Sequence, residues 1–597
     1  MRHKNLVKVI SLLTVFCLLF TMNPFYASAK NDDFFAESVA MGTDGMVSTS
    51  HPIASQVGAD VLNKGGNAVD AAVAIQYALN VVEPMMSGIG GGGFMMVYDA
   101  DTDEVSIVNS RERAPAGATP DMFLNEDGSI IPFQQRVRHG NAVGVPGTLQ
   151  GLEEALDRWG SRPRQQLITP AIQLAQKGFE VDNQLAQAIQ SNEEKLSLSA
   201  AADVFLPGGE PVSEGDVLVQ SDLANTLKSI RSHGADAFYH GEVAEAIAAT
   251  VQDFGGSMTP EDLANYNLTI DEPVYGDYKD FTIASMPPPS SGGTFLIQML
   301  KILEDFDLGQ YDVRSFEKYH LLSETMRLAY ADRSAYAGDP EFVDVPVDGL
   351  LHPDYIDERR ALISLDSVMT DIEPGDPWSY EGGAADYEVE ATVHDADSKP
   401  GETTHFTVAD REGNVVSYTS TIEQVFGSGI MVPGYGFMLN NELTDFDATP
   451  GGANQVEPHK RPLSSMTPTM VLEDGKPVLT LGSPGGPRII TAVLQVFLNI
   501  AEYDMDLEEA VKEPRIYNTH TTETWWEEGV PADVRAQMTD LGHRLQANPN
   551  LVGNVQTILI DEATGEFVGV ADERREGAAI GINRPGNSSG KGKGQGK

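Results

Sequence analysis

The sequence predicts an α+β fold in which helices lie in layers against sheet. Three observations predict it. Two helical patterns, His51 to Lys64 and Val69 to Val82, run back to back and lead into strand patterns. The region beyond residue 403 is rich in strands, and Arg488 to Ile500 reads as a buried helix among them. At 597 residues and 41% hydrophobic, the chain carries enough apolar material for one large core or two ordinary ones.

The first helical pattern stops at Gly65-Gly66, and the second is dense in Ala, Val and Ile. Gly88 to Gly93 leads into a strand, Phe94 to Tyr98, and across a polar turn into Glu104 to Val108. Its four consecutive glycines call for close backbone approach or positive φ. They form no dinucleotide fingerprint, because no helix follows. Pro287 to Gly293 is a turn ahead of the helical pattern Thr294 to Leu303. From about Ser367 to Pro400 the chain is polar, acidic and poorly periodic, which marks an exposed segment abutting Thr403. Strands then follow at Thr403 to Ala409 and Val415 to Thr421. Thr469 to Glu473 and Val478 to Leu481 form a hairpin around Asp474-Gly475. A second hairpin, Val555 to Asp561 with Phe567 to Ala571, closes the fold. The Gly, Ser and Lys run from Pro585 to Lys597 reads as a disordered tail.

The chain opens as a secretory leader, residues 1 to 29. Arg2, Lys4 and Lys8 precede a mostly apolar run, Val9 to Met22, and Ala27-Ser28-Ala29 offers a small-residue cleavage site. That run is too short to span a bilayer, so the expectation is a secreted protein free of the membrane. The one cysteine, Cys17, lies inside the leader, which excludes disulfides, thiol catalysis and zinc-thiolate sites. The formal charge of −48 makes nucleic acid an improbable partner. Any anion must be held by local arginine and backbone amides. Such acidity reads as adaptation of an exported surface to salt.

Thr403 opens a strand deep inside a long chain, directly after Glu402. A threonine hydroxyl is a poor nucleophile unaided, and one solution uses the residue's own freed α-amino group as base. A cut at Glu402-Thr403 would create that amine. The same Thr-Thr pair also suits a purely structural strand. Gly482-Ser483-Pro484-Gly485-Gly486, between a strand and a helix, suits an oxyanion hole or a plain turn. Asn440 to Asp447 gathers carboxylates in a loop, and Lys460 to Pro468 sets Ser464 and Ser465 beside two bases. Arg111 follows a strand and can point into a cleft to grip a carboxylate, or pair with Glu112.

Taken in order, these segments resemble the γ-glutamyltranspeptidases from about residue 40 to residue 583. The motifs are Glu83 to Phe94, Arg111-Glu112, Pro287 to Gly293, Thr403-Thr404-His405-Phe406, Arg461 to Met466, and Gly482 to Gly486. The resemblance implies the N-terminal-nucleophile hydrolase fold, an αββα four-layer sandwich built from both halves of a self-cleaved precursor. It implies a large subunit, 30 to 402, and a small one, 403 to 597, that stay together as a heterodimer without cofactor or metal. Thr403 resembles the nucleophile, and Thr421 the hydroxyl that orients it. Gly485 and Gly486 match the oxyanion glycines. Arg111, with Ser464 and Ser465, would hold the substrate α-carboxylate, while Glu423, Glu442 and Asp445 would hold its α-amino group. Substrates would be glutathione and related γ-glutamyl amides, with water, amino acids or dipeptides as acceptors. Many members have Asn and Gln where Glu423 and Glu442 stand, and the stretch from Pro450 to Pro462 is short beside members that carry a lid. That shortness implies an open cleft and suggests hydrolysis of poly-γ-glutamate. Two alternatives stand beside this reading: an acylase of the same fold acting on glutaryl amides, and a noncatalytic secreted binder of anionic polymer.

Overall fold

Strand segments here alternate side chains between two faces, and in Gly45–Thr49, Thr404–Asp410 and Val415–Thr421 both faces are buried. The computed structural model describes residues 37–389, 401–561 and 563–583. The leader, the end of the polar stretch at 395–400 and the tail at 585–597 lie outside them. In chain order the strands of the two main sheets are β1 (Val39–Gly42), β2 (Gly45–Thr49), β3 (Gly92–Asp99), β4 (Glu104–Asn109), β5 (Thr269–Asp271), β6 (Val274–Tyr278) and β7 (Phe281–Ser285). They continue as β8 (Thr404–Asp410), β9 (Val415–Thr421), β10 (Thr469–Glu473), β11 (Lys476–Gly482), β12 (Gln556–Asp561), β13 (Glu566–Ala571) and β14 (Ala578–Gly581). The helices that matter for the site are α1 (Pro52–Asn63), α2 (Ala68–Val82), α3 (Gly292–Glu304), α4 (Phe316–Tyr336) and α5 (Arg488–Tyr503).

One seven-stranded sheet has the order β1-β13-β12-β11-β10-β7-β6, and the other β14-β2-β8-β9-β3-β4-β5. Along β3, Met95 and Val97 join the core under α1 and α2, while Phe94, Met96 and Tyr98 meet Met470, Leu472 and Ile558 of the facing sheet. On the far side, Ile283, Val471 and Leu479 pack under α3 and α5. The result is helix, sheet, sheet, helix: the αββα sandwich. Each sheet draws strands from both sides of the Glu402-Thr403 bond.

The helix pair, the β3–β4 ladder and the β10–β11 hairpin lie where the sequence puts them. An Asn67/Asp70 capping box starts α2, and all fifteen of its residues are buried. The glycine run satisfies only one of its two expectations. None of Gly90 to Gly93 has positive φ, but a Cβ on Gly93 would stand 2.6 Å from the Thr419 carbonyl oxygen. The β12–β13 hairpin does not close the fold: β14 follows and pairs with β2 in the opposite sheet. Among the described residues no helix is long and apolar enough to cross a membrane.

Candidate active site

Strands β8 and β9 are antiparallel, with Thr404 opposite Ser420. One step further along that register sets Thr403 against Thr421, and the Thr403 hydroxyl donates to Thr421 Oγ1 at 3.2 Å. Thr421 in turn donates to the Glu402 carbonyl oxygen at 3.0 Å and accepts the Glu423 N–H at 2.8 Å. The candidate nucleophile, its orienting hydroxyl and the carbonyl of the bond before it therefore form one hydrogen-bonded chain. The Glu402 N–H donates to Glu423 O at 2.7 Å, which fixes that carbonyl.

Past the end of β11, Gly485 (φ +133°) and Gly486 (φ +58°) adopt backbone conformations that favour glycine. They sit just before α5. A Cβ on Gly486 would stand 3.1 Å from Gly401 Cα, so the segment entering Glu402 lies on the oxyanion candidates. Arg575 holds the same segment from another side. It donates to the Glu402 carboxylate, and through Nη1 to the Thr403 carbonyl oxygen at 3.2 Å.

Arg111, Thr403, Thr421, Glu423, Glu442, Asp445, Ser464, Ser465 and Gly486 line one cleft, together with Arg333 and Gly401. Gly485 adjoins it. The guanidinium of Arg111 is buried and donates to Glu442, to Asp445 Oδ2 at 2.7 Å, and to the Pro462 and Leu463 carbonyls at 3.3 and 2.7 Å. Glu112 lies 3.9 Å from it, so the neighbouring carboxylate is its weaker partner. The cation and anion halves of the pocket thus interpenetrate, where the sequence suggested that they stand apart. Glu442 and Asp445 reach Arg111 from a 3₁₀ turn, Glu442–Asp445, rather than from an open loop. Ser464 Oγ accepts the Met466 N–H at 3.1 Å. The short stretch after Pro450 folds onto this wall through Asn454, which donates to Asp445 O at 2.7 Å and accepts from Leu463 N at 3.0 Å.

Glu112, Glu442 and Asp445 crowd the buried Arg111 guanidinium and Glu423 lines the same cleft, and burial pushes three of these carboxyls upward. Burial, then Asp445 and Glu442, push Glu423 well above the usual carboxylate range. Burial and the neighbouring Glu442 do the same to Glu112. Glu442 is pushed up to about 7, by burial against the opposing pull of Arg111. Burial disfavours the Arg111 charge, yet Glu442, Asp445 and Glu112 outweigh it and keep the guanidinium protonated.

Comparison with known proteins places the chain in a family. The Gamma-glutamyltranspeptidase family profile matches residues 54–582. This chain belongs to the γ-glutamyltranspeptidase family. It is 63% identical over 565 residues to the glutathione hydrolase proenzyme of Bacillus subtilis strain 168, covering 94% of this chain and 96% of that protein. Its fold is similar to that of a cephalosporin acylase from Bacillus halodurans, with a TM-score of 0.81 and 28% identity over 91% of this chain and 97% of that one. A γ-glutamyltranspeptidase from Helicobacter pylori is 43% identical, with a TM-score of 0.53 over 55% of this chain and 94% of that one.

Three residues of this family member escaped the sequence reading. Arg333 of α4 donates to Ser465 Oγ at 2.9 Å and Ser291 Oγ at 2.8 Å, and so sets the rotamer of one predicted site hydroxyl. Lys195 is buried and clasps the turn after Glu423 through the Val425 and Gly427 carbonyls. Arg575 is the third. Each reaches a site segment distant in sequence, Arg333 to Ser465 across 132 residues, Lys195 to Val425 across 230 and Arg575 to Thr403 across 172, and no local pattern announces it.

Proposed function

We propose that the chain is exported, cuts itself at Glu402-Thr403 into subunits 30 to 402 and 403 to 597, and then transfers γ-glutamyl groups to water, amino acids or dipeptides. The observation that carries this reading is the chain of hydrogen bonds from Thr403 through Thr421 to the Glu402 carbonyl. In the first act, Thr403 Oγ attacks the Glu402 carbonyl carbon, which Thr421 polarises. The C–N bond breaks, the nitrogen takes a proton, and water hydrolyses the resulting ester. Thr403 is left with a free hydroxyl and a free α-amine.

That amine has a reference pKa of about 7.7–8.0, so a useful fraction is neutral near pH 8. In turnover it accepts the proton of Oγ as Oγ attacks the γ-carbonyl of a γ-glutamyl amide. The oxyanion rests on the N–H groups of Gly485 and Gly486, each such donor contributing roughly 2.7–4 kcal/mol. The leaving amine takes the proton, and a γ-glutamyl-Thr403 ester remains. Water or an acceptor amine then attacks the ester carbon, the C–O bond breaks, and Oγ recovers its proton. Arg111, Ser464 and Ser465 receive the α-carboxylate; Glu423, Glu442 and Asp445 receive the α-ammonium.

N-terminal sequencing of the purified protein tests the first act. A small chain beginning Thr403-Thr404-His405 is the expected result, and any other start, or one uncut chain, overturns it. The amine pocket distinguishes a γ-glutamyl transferase from a glutaryl acylase. Because burial pushes Glu442 up to about 7, the KM for γ-glutamyl-p-nitroanilide should rise as pH falls below that value, since a protonated Glu442 no longer pairs with the ammonium. Glutaryl-p-nitroanilide, which lacks the amine, should be the poorer donor. A better glutaryl donor with a flat KM would favour the acylase.

A further inference from the structure

We propose that Arg575 is the receptor for a carboxylate on the acceptor, and equally on the amine that leaves when a γ-glutamyl peptide acylates Thr403; this rests on the transferase reading above. In the uncut chain Glu402 occupies that receptor. Its side-chain carboxylate is ion-paired to Arg575 Nη2, and both side chains are largely buried.

Glu402 cannot keep this place in a working enzyme. Gly401 rests on Gly486, and Gly401 also lines the cleft that contains Thr403, Thr421 and the Arg111 pocket. Acylation by an outside substrate needs the Gly486 amide, so the 401–402 segment has to withdraw once its bond to Thr403 is cut. Arg575 stays behind. It lies beyond the cut, between the strands β13 and β14, and its Nη1 remains tied to the carbonyl of Thr403 itself. A cation is thereby left beside the nucleophile without the carboxylate that balanced it.

Which substrate group would it meet? The α-carboxylate of the γ-glutamyl half is served by Arg111 and the serines, and Arg575 does not line that cleft. The other group bonded to the reacting carbonyl carbon is the leaving or attacking amine. Amino acids and dipeptides carry a carboxylate close to that nitrogen, of the same chemistry as the Glu402 side chain they replace. Arg488 lies near enough to Glu402 to add positive potential at this place. Glu83, a carboxyl near Arg575 at the C-terminal end of α2, is held toward its neutral form by burial and accepts from Ser50 Oγ at 3.0 Å, so it competes weakly. On a chain of net charge −48, a built cation is what would let an anionic acceptor settle at all.

The test is transfer from γ-glutamyl-p-nitroanilide to glycylglycine and to glycylglycinamide, which present similar amines and differ in the carboxylate. Release of p-nitroaniline without acceptor reports the transferase reading separately: its absence would sink that reading and this proposal with it, whereas release without the acceptor preference below would sink this proposal alone. With the wild-type enzyme the amide's acceptor KM should exceed that of glycylglycine by about tenfold or more, the scale of one charge-assisted hydrogen bond. In Arg575→Gln the ratio should fall to about one, and the same comparison made with the acceptors' kcat/KM values within one variant is independent of any change in acylation. Should Arg575→Gln fail to cut itself, Arg575→Lys, which keeps the charge and loses the paired donors, should show an intermediate ratio. A wild-type ratio near one, or a ratio unchanged in either variant, overturns the proposal.

Discussion

Replacing Thr403 by alanine should yield a protein that stays in one piece and transfers no γ-glutamyl group. The loss is double because one hydroxyl serves two acts. Without Oγ nothing attacks the Glu402 carbonyl, so the α-amine that would serve as base is never freed. The fold itself should survive, since the removed hydroxyl makes one 3.2 Å bond to Thr421 and Thr421 keeps its bonds to Glu402 O and Glu423 N. Turnover should fall by roughly 10⁴-fold or more, the scale set by removing the nucleophile of a concerted catalytic unit. A denaturing gel and p-nitroaniline release from γ-glutamyl-p-nitroanilide check the two acts independently. Thr403→Ser, which keeps a hydroxyl and can free an amine, should still produce two bands. If Thr403→Ala were cut to the same two chains, the nucleophile would have to lie elsewhere.

How much of this was legible beforehand depends on how far each feature reaches along the chain. β8 and β9 were readable because Val, Thr and Tyr recur through them and a short polar turn joins them, and their register then sets Thr403 against Thr421. β14 was not, because four residues of Ala, Ile and Gly carry no turn signal or period long enough to separate them from a loop. β1, β2 and β5, and with them β6 and β7, went unread because three to five residues are too short a run to separate a strand period from a loop. Within the site, the resemblance supplied the residues and the structure supplied their pairing. A carboxylate trio and a guanidinium can be assigned to opposite ends of a zwitterion on chemical grounds alone. Nothing in the sequence says that Glu442 and Asp445 bond to Arg111 across more than three hundred positions. Arg333, Lys195 and Arg575 were silent because each is an ordinary charged residue in its own segment.

That pairing sharpens what removing Arg111 should do. As a substrate ligand alone, its loss would raise the donor KM and leave the fold untouched. As the partner of Glu442 and Asp445, its loss also strands buried carboxylates, a change that costs roughly 3–5 kcal/mol when a buried pair is broken. Arg111→Met should therefore raise the KM for γ-glutamyl-p-nitroanilide and lower the urea midpoint together. The two effects separate by pH. Arg111 is what pulls the Glu442 pKa down against burial, so without it the folded-state pKa rises further above the unfolded value. A carboxyl raised in this way loses stability as pH climbs from its unfolded pKa to its folded one, so the loss ends near about 7 with Arg111 present and continues above that without it. The stability deficit should thus be larger at pH 8 than at pH 6, whereas the loss of the carboxylate grip on substrate persists at both. Arg111→Lys restores a charge for Glu442 without the planar pair of donors, so its urea midpoint should recover most of the difference while its KM stays high. An Arg111→Met protein with unchanged KM would remove the residue from substrate recognition, and an unchanged midpoint would mean that Glu442 and Asp445 find compensation without it.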